Sequence, residues 1–315
     1  MSKRILVCGS LAFDSIAVFE GHFKDHILPD NVQALSVSFF VPALRKEYGG
    51  CAGNIAYNLH LLGAQAVPVG VVGADGIEYV ERFKQLGIDT SMMQVREDLF
   101  SAQCFITTDL DSNQIASFHP GAMLHSAAND LSGQQAAWAI VAPDSTDGMA
   151  AHAERLQTQG TPLTFDLRHA MPLFEGEDLA RMLALCSVLT ANEYEAEVIV
   201  QRTGRSMADI AKNLQAVVVT KGAKGATLYV NGETVEIAPV PVSKVADPTG
   251  CGDAHRAGLL HGLTEGWDWY ESACLGNVMG SLKISSKGPQ NHQPTAAQIQ
   301  QLLQQHYDIE KTIGA

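Results

Sequence analysis

The sequence predicts one α/β domain built on a doubly wound, mostly parallel sheet. Short apolar runs typical of buried strands alternate with helical patterns from residue 4 onward, and this alternation is typical of βαβ units. The chain has 315 residues, of which 46% are hydrophobic, so it can bury one large core and carry an appendage. We therefore expect ligands beyond the carboxyl ends of the parallel strands.

The elements of the large sheet follow one another along the chain. The runs predicted as strands are 4–9, 66–72, 137–142, 163–165, 187–190 and 216–220. The helical patterns are 54–62, 77–86, 148–157, 178–185, 193–202 and 207–214, followed by 253–266, 267–285 and a last helix after Pro294. The first strand ends in glycine, which is typical of a buried strand whose carboxyl end opens into a site.

Two segments break the alternation. Residues 15–41 and 102–120 are rich in strand formers, with period-two patterning in 35–39 and 106–109, and show no convincing helix. We expect them to pair into a small β-sheet beside the core, within one domain of residues 1–315. A small sheet over the strand ends would act as a lid that excludes water from a site at those ends.

Composition excludes several classes of partner. The net charge of −13 argues against nucleic acid, which selects basic surfaces. No apolar run approaches the roughly 18 residues that cross a bilayer, so we expect no membrane partner and a cytoplasmic location. The six cysteines show no Cys-x-x-Cys spacing, which indicates reduced thiols rather than disulfides or a zinc site.

The segment 247–258 has the chemistry of a phosphoryl-transfer site. Gly250, Cys251 and Gly252 form a turn of small residues that opens a helix, so their N–H groups and the helix dipole would bind an anion. Asp253 lies in the same first turn and could accept a proton from a substrate hydroxyl. A thiol at such a helix start should have a lowered pKa, which we expect of Cys251. The alternative is an ordinary turn with an aspartate stabilising a helix start.

A second glycine motif lies upstream, in residues 49–54 (Gly-Gly-Cys-Ala-Gly-Asn). The two motifs in this order resemble the signatures of the ribokinase-like (PfkB) family of small-molecule kinases. The resemblance implies a ribokinase-like fold and an ATP-dependent kinase acting on an alcohol. His255 and Cys251 depart from the family's usual residues, and we expect His255 to be a buried core histidine.

The resemblance also implies which residues bind the substrate. Asp14, in the segment 9–14, would accept hydrogen bonds from vicinal hydroxyls, Gly50 would let the substrate approach the backbone, and Asn54 would bind the same hydroxyls. The alternatives are that Asp14 closes a turn and that Asn54 caps a helix. Arg168 could approach the phosphates.

The same resemblance assigns a nucleotide site. Asn192 and Glu195 match a motif that organises hydrated magnesium near the phosphates, so Glu195 would bind Mg²⁺ through water; an exposed glutamate-rich helix start is the alternative. The segment 220–225 matches a Thr-x-Gly-x-x-Gly turn that contacts ATP. It contributes Thr220, Lys221, Gly222 and Gly225, and Lys221 would neutralise phosphate charge.

One further position bears on the cofactors. Asp247 resembles a residue that binds a monovalent cation in many relatives, which leaves K⁺ open as a cofactor beside ATP and Mg²⁺.

Substrate choice depends on the lid. Residues 19–23, 27–29, 36–39 and 115–123 resemble the lid segments of bacterial adenosine kinases in this family. Phe118, Phe39 and Phe105 are candidates to stack on a base, although lid aromatics also form cores between strands.

The resemblance implies phosphorylation of the 5'-hydroxyl of adenosine or a close purine nucleoside. A sugar kinase acting on ribose or fructose and a catalytically silent nucleotide-binding regulator remain as alternatives. The exposed lid edge leaves a homodimer open.

Overall fold

The computed structural model describes residues 3–27, 37–111 and 113–314. In these ranges the strands are β1 (Arg4–Cys8), β2 (Ala12–Val18), β3 (Ala43–Gly49), β4 (Gln65–Gly73), β5 (Met93–Arg96), β6 (Ala102–Thr108), β7 (Gln114–His119), β8 (Trp138–Val141), β9 (Leu163–Asp166), β10 (Val188–Asn192), β11 (Ala216–Thr220), β12 (Ala226–Val230) and β13 (Glu233–Ile237). The helices are α1 (Cys51–Leu61), α2 (Ile77–Leu86), α3 (Thr146–Thr158), α4 (Gly176–Leu185), α5 (Glu193–Thr203), α6 (Met207–Ala211), α7 (Cys251–Thr264), α8 (Trp269–Ile284) and α9 (Ala296–Tyr307).

The large sheet has the order β13-β12-β11-β10-β9-β8-β1-β4-β5. Neighbours from β5 through β11 are parallel, and β12 and β13 add an antiparallel hairpin at one edge. The chain moves from β1 outward to β4 and β5 and later returns to β8 on the other side of β1. This reversal makes the carboxyl ends of β1 and β8 the switch point, where open α/β sheets bind ligands.

Helices cover both faces of this sheet. Leu6 on β1 belongs to a core that includes Met149 of α3 and Ile199 of α5, whereas its neighbours Ile5 and Val7 face a second core that includes residues of α1, α2 and α7. Because successive strand residues point to opposite faces, a strand buried on both sides is apolar throughout. This explains why the sequence of β1 is a continuous apolar run.

The predicted α/β architecture is confirmed, including all six predicted strands of the large sheet. The signature helix begins at Cys251 rather than at residue 253, and α1 begins at Cys51 rather than at residue 54. The prediction missed β5 and the hairpin of β12 and β13. The hairpin turn is Asn231-Gly232, with φ of 52° and 79°, which is a strong hairpin signal that the prediction overlooked.

The smaller sheet has the order β3-β2-β6-β7. It differs from the predicted lid because β2 begins at Ala12, and because β3 lies beyond the predicted boundary at residue 41. Residues 35 and 36 of the expected alternation lie outside the described residues, and residues 37–40 form no strand. The sheet grows from the carboxyl edge of the large sheet, since β2 follows β1 and β3 leads into α1.

Among the described residues, no helix is both long and apolar enough to cross a membrane.

Candidate active site

The Asp253 side chain lies in the first turn of α7 and is buried, with 2% of its surface exposed. One carboxylate oxygen accepts a hydrogen bond from Asn54 Nδ2 at 2.9 Å, and the other is ion-paired with Arg168. Burial raises the pKa of Asp253, while Arg168 and the Asn54 hydrogen bond oppose that rise. The structure therefore gives a carboxylate that is more basic than an exposed one and that is held in a fixed orientation.

The amides at the start of α7 form the second part of this site. The first-turn N–H groups of a helix have no intrahelical acceptor, so those of Gly252 and Asp253 are available to an anion beside the carboxylate. The N–H of Cys251 donates instead to the Pro248 carbonyl at 3.2 Å. Gly250 has φ of 82°, and a Cβ there would lie 2.8 Å from Pro289 Cβ, so only glycine fits this N-cap.

The expectation of a lowered pKa at Cys251 is wrong. Burial raises the pKa of Cys251 to about 11, because the desolvation of a thiolate outweighs the opposing charges of Lys283 and Arg168. The prediction for His255 agrees with the structure, which places its ring 4% exposed against Gly276 of α8, where burial lowers its pKa to about 3.

Asp14 lies on β2, beside Gly49 and near Asp253. A Cβ at Gly49 would lie 2.7 Å from Asp14 Oδ2, so the first glycine of the paired motif leaves room for this carboxylate. Burial, with smaller contributions from the charges of Asp247 and Asp253, raises the pKa of Asp14 to about 6. Asp14 and Asp253 are therefore close enough to interact, as a site that binds and deprotonates a hydroxyl compound requires.

The two other predicted substrate residues are placed by the backbone around α1. Gly50 is the N-cap of α1 with φ of 82°, and a Cβ there would lie 2.6 Å from the Ala12 nitrogen. The chain's own backbone therefore requires glycine here, whether or not a ligand approaches as predicted. Asn54 Oδ1 accepts a hydrogen bond from Gln290 Nε2 at 3.0 Å, which aims the amide donor at Asp253.

A buried ion pair that the sequence reasoning missed fixes α7 to the sheet. Arg256, 2% exposed, donates through Nε and Nη2 to the two oxygens of Asp166, which is fully buried at the end of β9, at 3.2 Å and 2.9 Å. A Cβ at Gly252 would lie 3.1 Å from Arg168 Nη2 and 3.2 Å from Arg256 Nη1. Two guanidinium groups therefore flank the anion site. An arginine within the helix that carries Asp253, next to the small residues Ala257 and Gly258, was the signal for Arg256.

The Arg168 backbone has φ of 37°, in the left-handed region. This conformation is uncommon for a residue with a side chain, and it directs the guanidinium toward Asp253 and the Cys51 sulfur. Such strain is found at functional sites, and here it accompanies a charge that faces Asp253.

The predicted nucleotide residues lie at the ends of β10 and β11. Asn192 and Thr220 are register partners, so the two motifs are adjacent. Asn192 and Glu195 form a capping box, in which each oxygen of Glu195 accepts a hydrogen bond from Asn192, at 2.8 Å and 2.7 Å. Burial raises the pKa of Glu195. Each carboxylate oxygen keeps a further lone pair, which fits the predicted contact to a metal-bound water.

The turn after β11 does not place every predicted group toward a phosphate. Gly222 and Gly225 have φ of 57° and 88°, and a Cβ at Gly225 would meet the backbone of Ala238 at 2.9 Å. Lys221 is ion-paired with Glu236 of β13. The lysine is therefore directed along the sheet edge, and its predicted phosphate role does not fit this geometry.

The surroundings of Asp247 do not fit the monovalent cation that the resemblance left open. Its carboxylate oxygens accept hydrogen bonds from the N–H groups of Thr249 and Gly288, both at 2.9 Å. Its carbonyl oxygen accepts a hydrogen bond from Lys283 Nζ at 2.7 Å. A cation, the Lys283 ammonium, therefore already contacts the carbonyl oxygen that would bind the ion.

The three lid aromatics are not equivalent. Register places Phe118 opposite Cys104 and Cys104 opposite Asp14, so Phe118 shares the face of the small sheet that carries Asp14. Phe105 lies on the opposite face, and Phe39 packs against Phe19 and Phe23 with ring centroids 4.9 Å and 5.0 Å apart. Phe39 thus belongs to a lid core, and only Phe118 of the three faces the site.

Comparisons with known proteins agree with this geometry. Residues 3–296 match the model of the pfkB family of carbohydrate kinases. A nucleoside kinase of Burkholderia thailandensis, solved with inosine, has 42% identity and a TM-score of 0.88, covering 99% of this chain and 100% of that one. The same enzyme was solved with ADP-inosine, at 44% identity and a TM-score of 0.86, covering 99% and 98%. A nucleoside kinase of Methanocaldococcus jannaschii has 27% identity and a TM-score of 0.89, covering 96% and 99%.

Proposed function

Because the chain belongs to the pfkB family of carbohydrate kinases, we propose that it transfers phosphate from ATP to the 5'-hydroxyl of a purine nucleoside, with adenosine and inosine as the first candidates. The observation that carries the proposal is the convergence of Asp14, Asn54 and Asp253 at the switch point of the sheet. The inosine complexes of the Burkholderia thailandensis relative support the choice of a nucleoside over a bare sugar.

The proposed chemistry follows from the residues present. Asp14 binds the ribose hydroxyls, and Asn54, which donates a hydrogen bond to Asp253, lies beside the reacting hydroxyl. The 5'-hydroxyl donates its hydrogen to Asp253, whose basicity burial increases. The N–H groups of Gly252 and Asp253 bind the phosphoryl oxygens, with the helix dipole aligned toward them.

The donor would lie along the ends of β10 and β11, beside Asn192, Glu195 and Thr220. Bound Mg²⁺ would supply charge neutralisation on the triphosphate, with Glu195 holding one of its waters. Arg168 lies between the base and the anion site, so it stabilises charge on the phosphoryl group once Asp253 has accepted the proton.

The base is tested with Asp253→Asn, which keeps the size of the side chain but cannot accept the proton. Its amide nitrogen cannot accept a hydrogen bond, so one of the two contacts, to Asn54 or to Arg168, is lost. We expect kcat to fall about a hundredfold or more, with the nucleoside KM nearly unchanged, because a general base contributes to the transition state. Near-normal turnover by this variant would remove Asp253 from the mechanism.

The substrate class is tested by steady-state kinetics with ATP and four acceptors: adenosine, inosine, ribose and fructose. A nucleoside kinase gives kcat/KM for one of the nucleosides at least about tenfold above both sugars, since base stacking contributes roughly 1–3 kcal/mol. Preference for a sugar would make the chain a sugar kinase. ATP binding without ADP formation for any acceptor would indicate a silent regulator.

A further inference from the structure

Lys283 is a buried charged residue that the proposed reaction does not use. It lies in the last turn of α8, and none of its surface is exposed. Its ammonium donates to the carbonyl oxygens of Asp247 at 2.7 Å and Ser286 at 3.1 Å. A buried ammonium is costly unless it is hydrogen-bonded or paired, so this arrangement calls for a physical reason.

The partners of Lys283 are main-chain carbonyls. Within the described part of the chain, no carboxylate oxygen forms a salt bridge with its Nζ. Burial lowers its pKa, and the nearby Cys251, Asp247 and Asp253 oppose that change. Converging carbonyl oxygens are the ligands with which proteins replace the hydration shell of a monovalent cation. A lysine ammonium supplies the same single charge on a covalent tether.

Hydrogen bonds around Lys283 connect two loops, residues 246–250 and residues 284–289. The Ile284 carbonyl accepts the N–H groups of Ala246 and Asp247, at 2.8 Å and 3.2 Å. Gly288 N donates to the Asp247 carboxylate at 2.9 Å. Pro289 in turn packs against Gly250, the N-cap of α7. The ammonium therefore lies where these two loops meet, next to the residues that position Gly250 and the first turn of α7.

We propose that the Lys283 ammonium is a built-in monovalent cation that holds the 246–250 and 284–289 loops together and thereby positions the anion site at the start of α7. The protein then needs no added K⁺, which departs from the role that the resemblance left open for Asp247. Removing the ammonium while leaving its space creates a site for K⁺ or NH₄⁺.

The competing explanation is an ordinary helix C-cap, since lysines in a last turn commonly donate to nearby carbonyls. The bond to Ser286 is of that local kind, but the bond to Asp247 spans 36 residues. A cap predicts lower stability on substitution and no response to the identity of the salt. The two explanations are therefore separated by cation rescue.

The experiment compares wild type, Lys283→Ala, Lys283→Met and the matched control Lys287→Ala, in which an exposed lysine four residues further on is removed. Thermal unfolding and kinase kinetics are measured in chloride salts of K⁺, NH₄⁺, Na⁺ and tetramethylammonium, at a constant ionic strength of about 0.1 M. The kinetic part rests on the proposed function. Thermal unfolding does not, so failure of the kinase assay leaves the cation test intact.

We expect the wild type and Lys287→Ala to change less than about twofold in kcat/KM between K⁺ and tetramethylammonium. Lys283→Ala should lose about a hundredfold in tetramethylammonium, as expected when an anion site is displaced, and regain at least about tenfold with K⁺ or NH₄⁺. Its melting temperature should rise with K⁺ concentration, because an ion that binds the native state stabilises it. Lys283→Met should show no rescue, since its side chain fills the space.

Activation of the wild type by K⁺ of more than about fivefold would overturn the proposal, because a tethered ammonium leaves no place for the ion. So would a Lys283→Ala variant that is fully active in tetramethylammonium, or one that is equally impaired and equally unstable in every salt. If Lys283→Ala is not recovered folded in tetramethylammonium, its recovery in K⁺ or NH₄⁺ supports the proposal, because an ion that binds the native state stabilises it. Failure to recover the variant in every salt contradicts the proposal.

Discussion

The buried pair of Asp166 and Arg256 gives the sharpest stability prediction. In Arg256→Met the long apolar part of the side chain is kept, but the fully buried Asp166 carboxylate loses two charge-assisted hydrogen bonds. Breaking a buried pair by removing one partner costs about 3–5 kcal/mol, because the remaining charge has no compensation. Exposed pairs, by contrast, contribute about 0–1 kcal/mol.

These energies convert into a measurable shift. For 315 residues, an unfolding entropy of about 2.1 cal/mol/K per residue turns that cost into a fall in melting temperature of about 5–8 °C. Differential scanning calorimetry measures it. The matched control is Arg181→Met, since the Arg181–Glu154 pair is about half exposed on both sides, at 52% and 51%. The control should shift by no more than about 1–2 °C.

The double variant Asp166→Leu/Arg256→Met separates stability from function. Replacing both buried charges by apolar groups should restore most of the melting temperature. Activity should stay reduced, by about tenfold or more, because the Arg256 guanidinium no longer flanks Gly252 at the anion site. If Arg256→Met melts within about 2 °C of wild type, the pair is not the uncompensated buried charge that we describe.

Three further predictions concern the site. Arg168→Met should move the acidic limb of the kcat/KM profile to higher pH, because Arg168 lowers the pKa of Asp253; an unchanged limb would place the base elsewhere. The nucleoside KM should rise as pH falls below about 6, where the Asp14 carboxylate that we propose binds the hydroxyls becomes protonated, and Asp14→Asn should abolish this dependence while raising KM at neutral pH. Phe118→Ala should raise the nucleoside KM about tenfold through lost stacking, whereas Phe105→Ala, on the opposite face, should leave it unchanged; equal effects would contradict the assignment of faces.

Much of the fold could be read from the sequence because buried parallel strands leave a strong local signal. A strand such as β1 is apolar at every position since helices cover both of its faces. The missed β5 has four residues and two exposed side chains, so its pattern is too short and too polar to distinguish from a loop. The position of β3 depended on pairing with β2 across the small sheet.

The site could be read from the sequence only where the chemistry is local. Asp253, Gly250 and Gly252 share one turn, so their proximity follows from their spacing. The roles of Phe39 and Phe105 could not be separated, because the face that each aromatic presents depends on sheet register and on which neighbours bury it.

The sequence by itself determined the class of this protein: the alternation of strands and helices, the two glycine motifs and the acidic residue that follows the second one. Only the tertiary structure decided how the charges pair. Arg168 pairs with Asp253, Arg256 with Asp166 and Lys221 with Glu236, whereas the Lys283 ammonium binds the main-chain carbonyl of Asp247. Each of these pairs joins residues far apart in the chain, and a charge finds its partner through burial and distance, which local sequence does not encode.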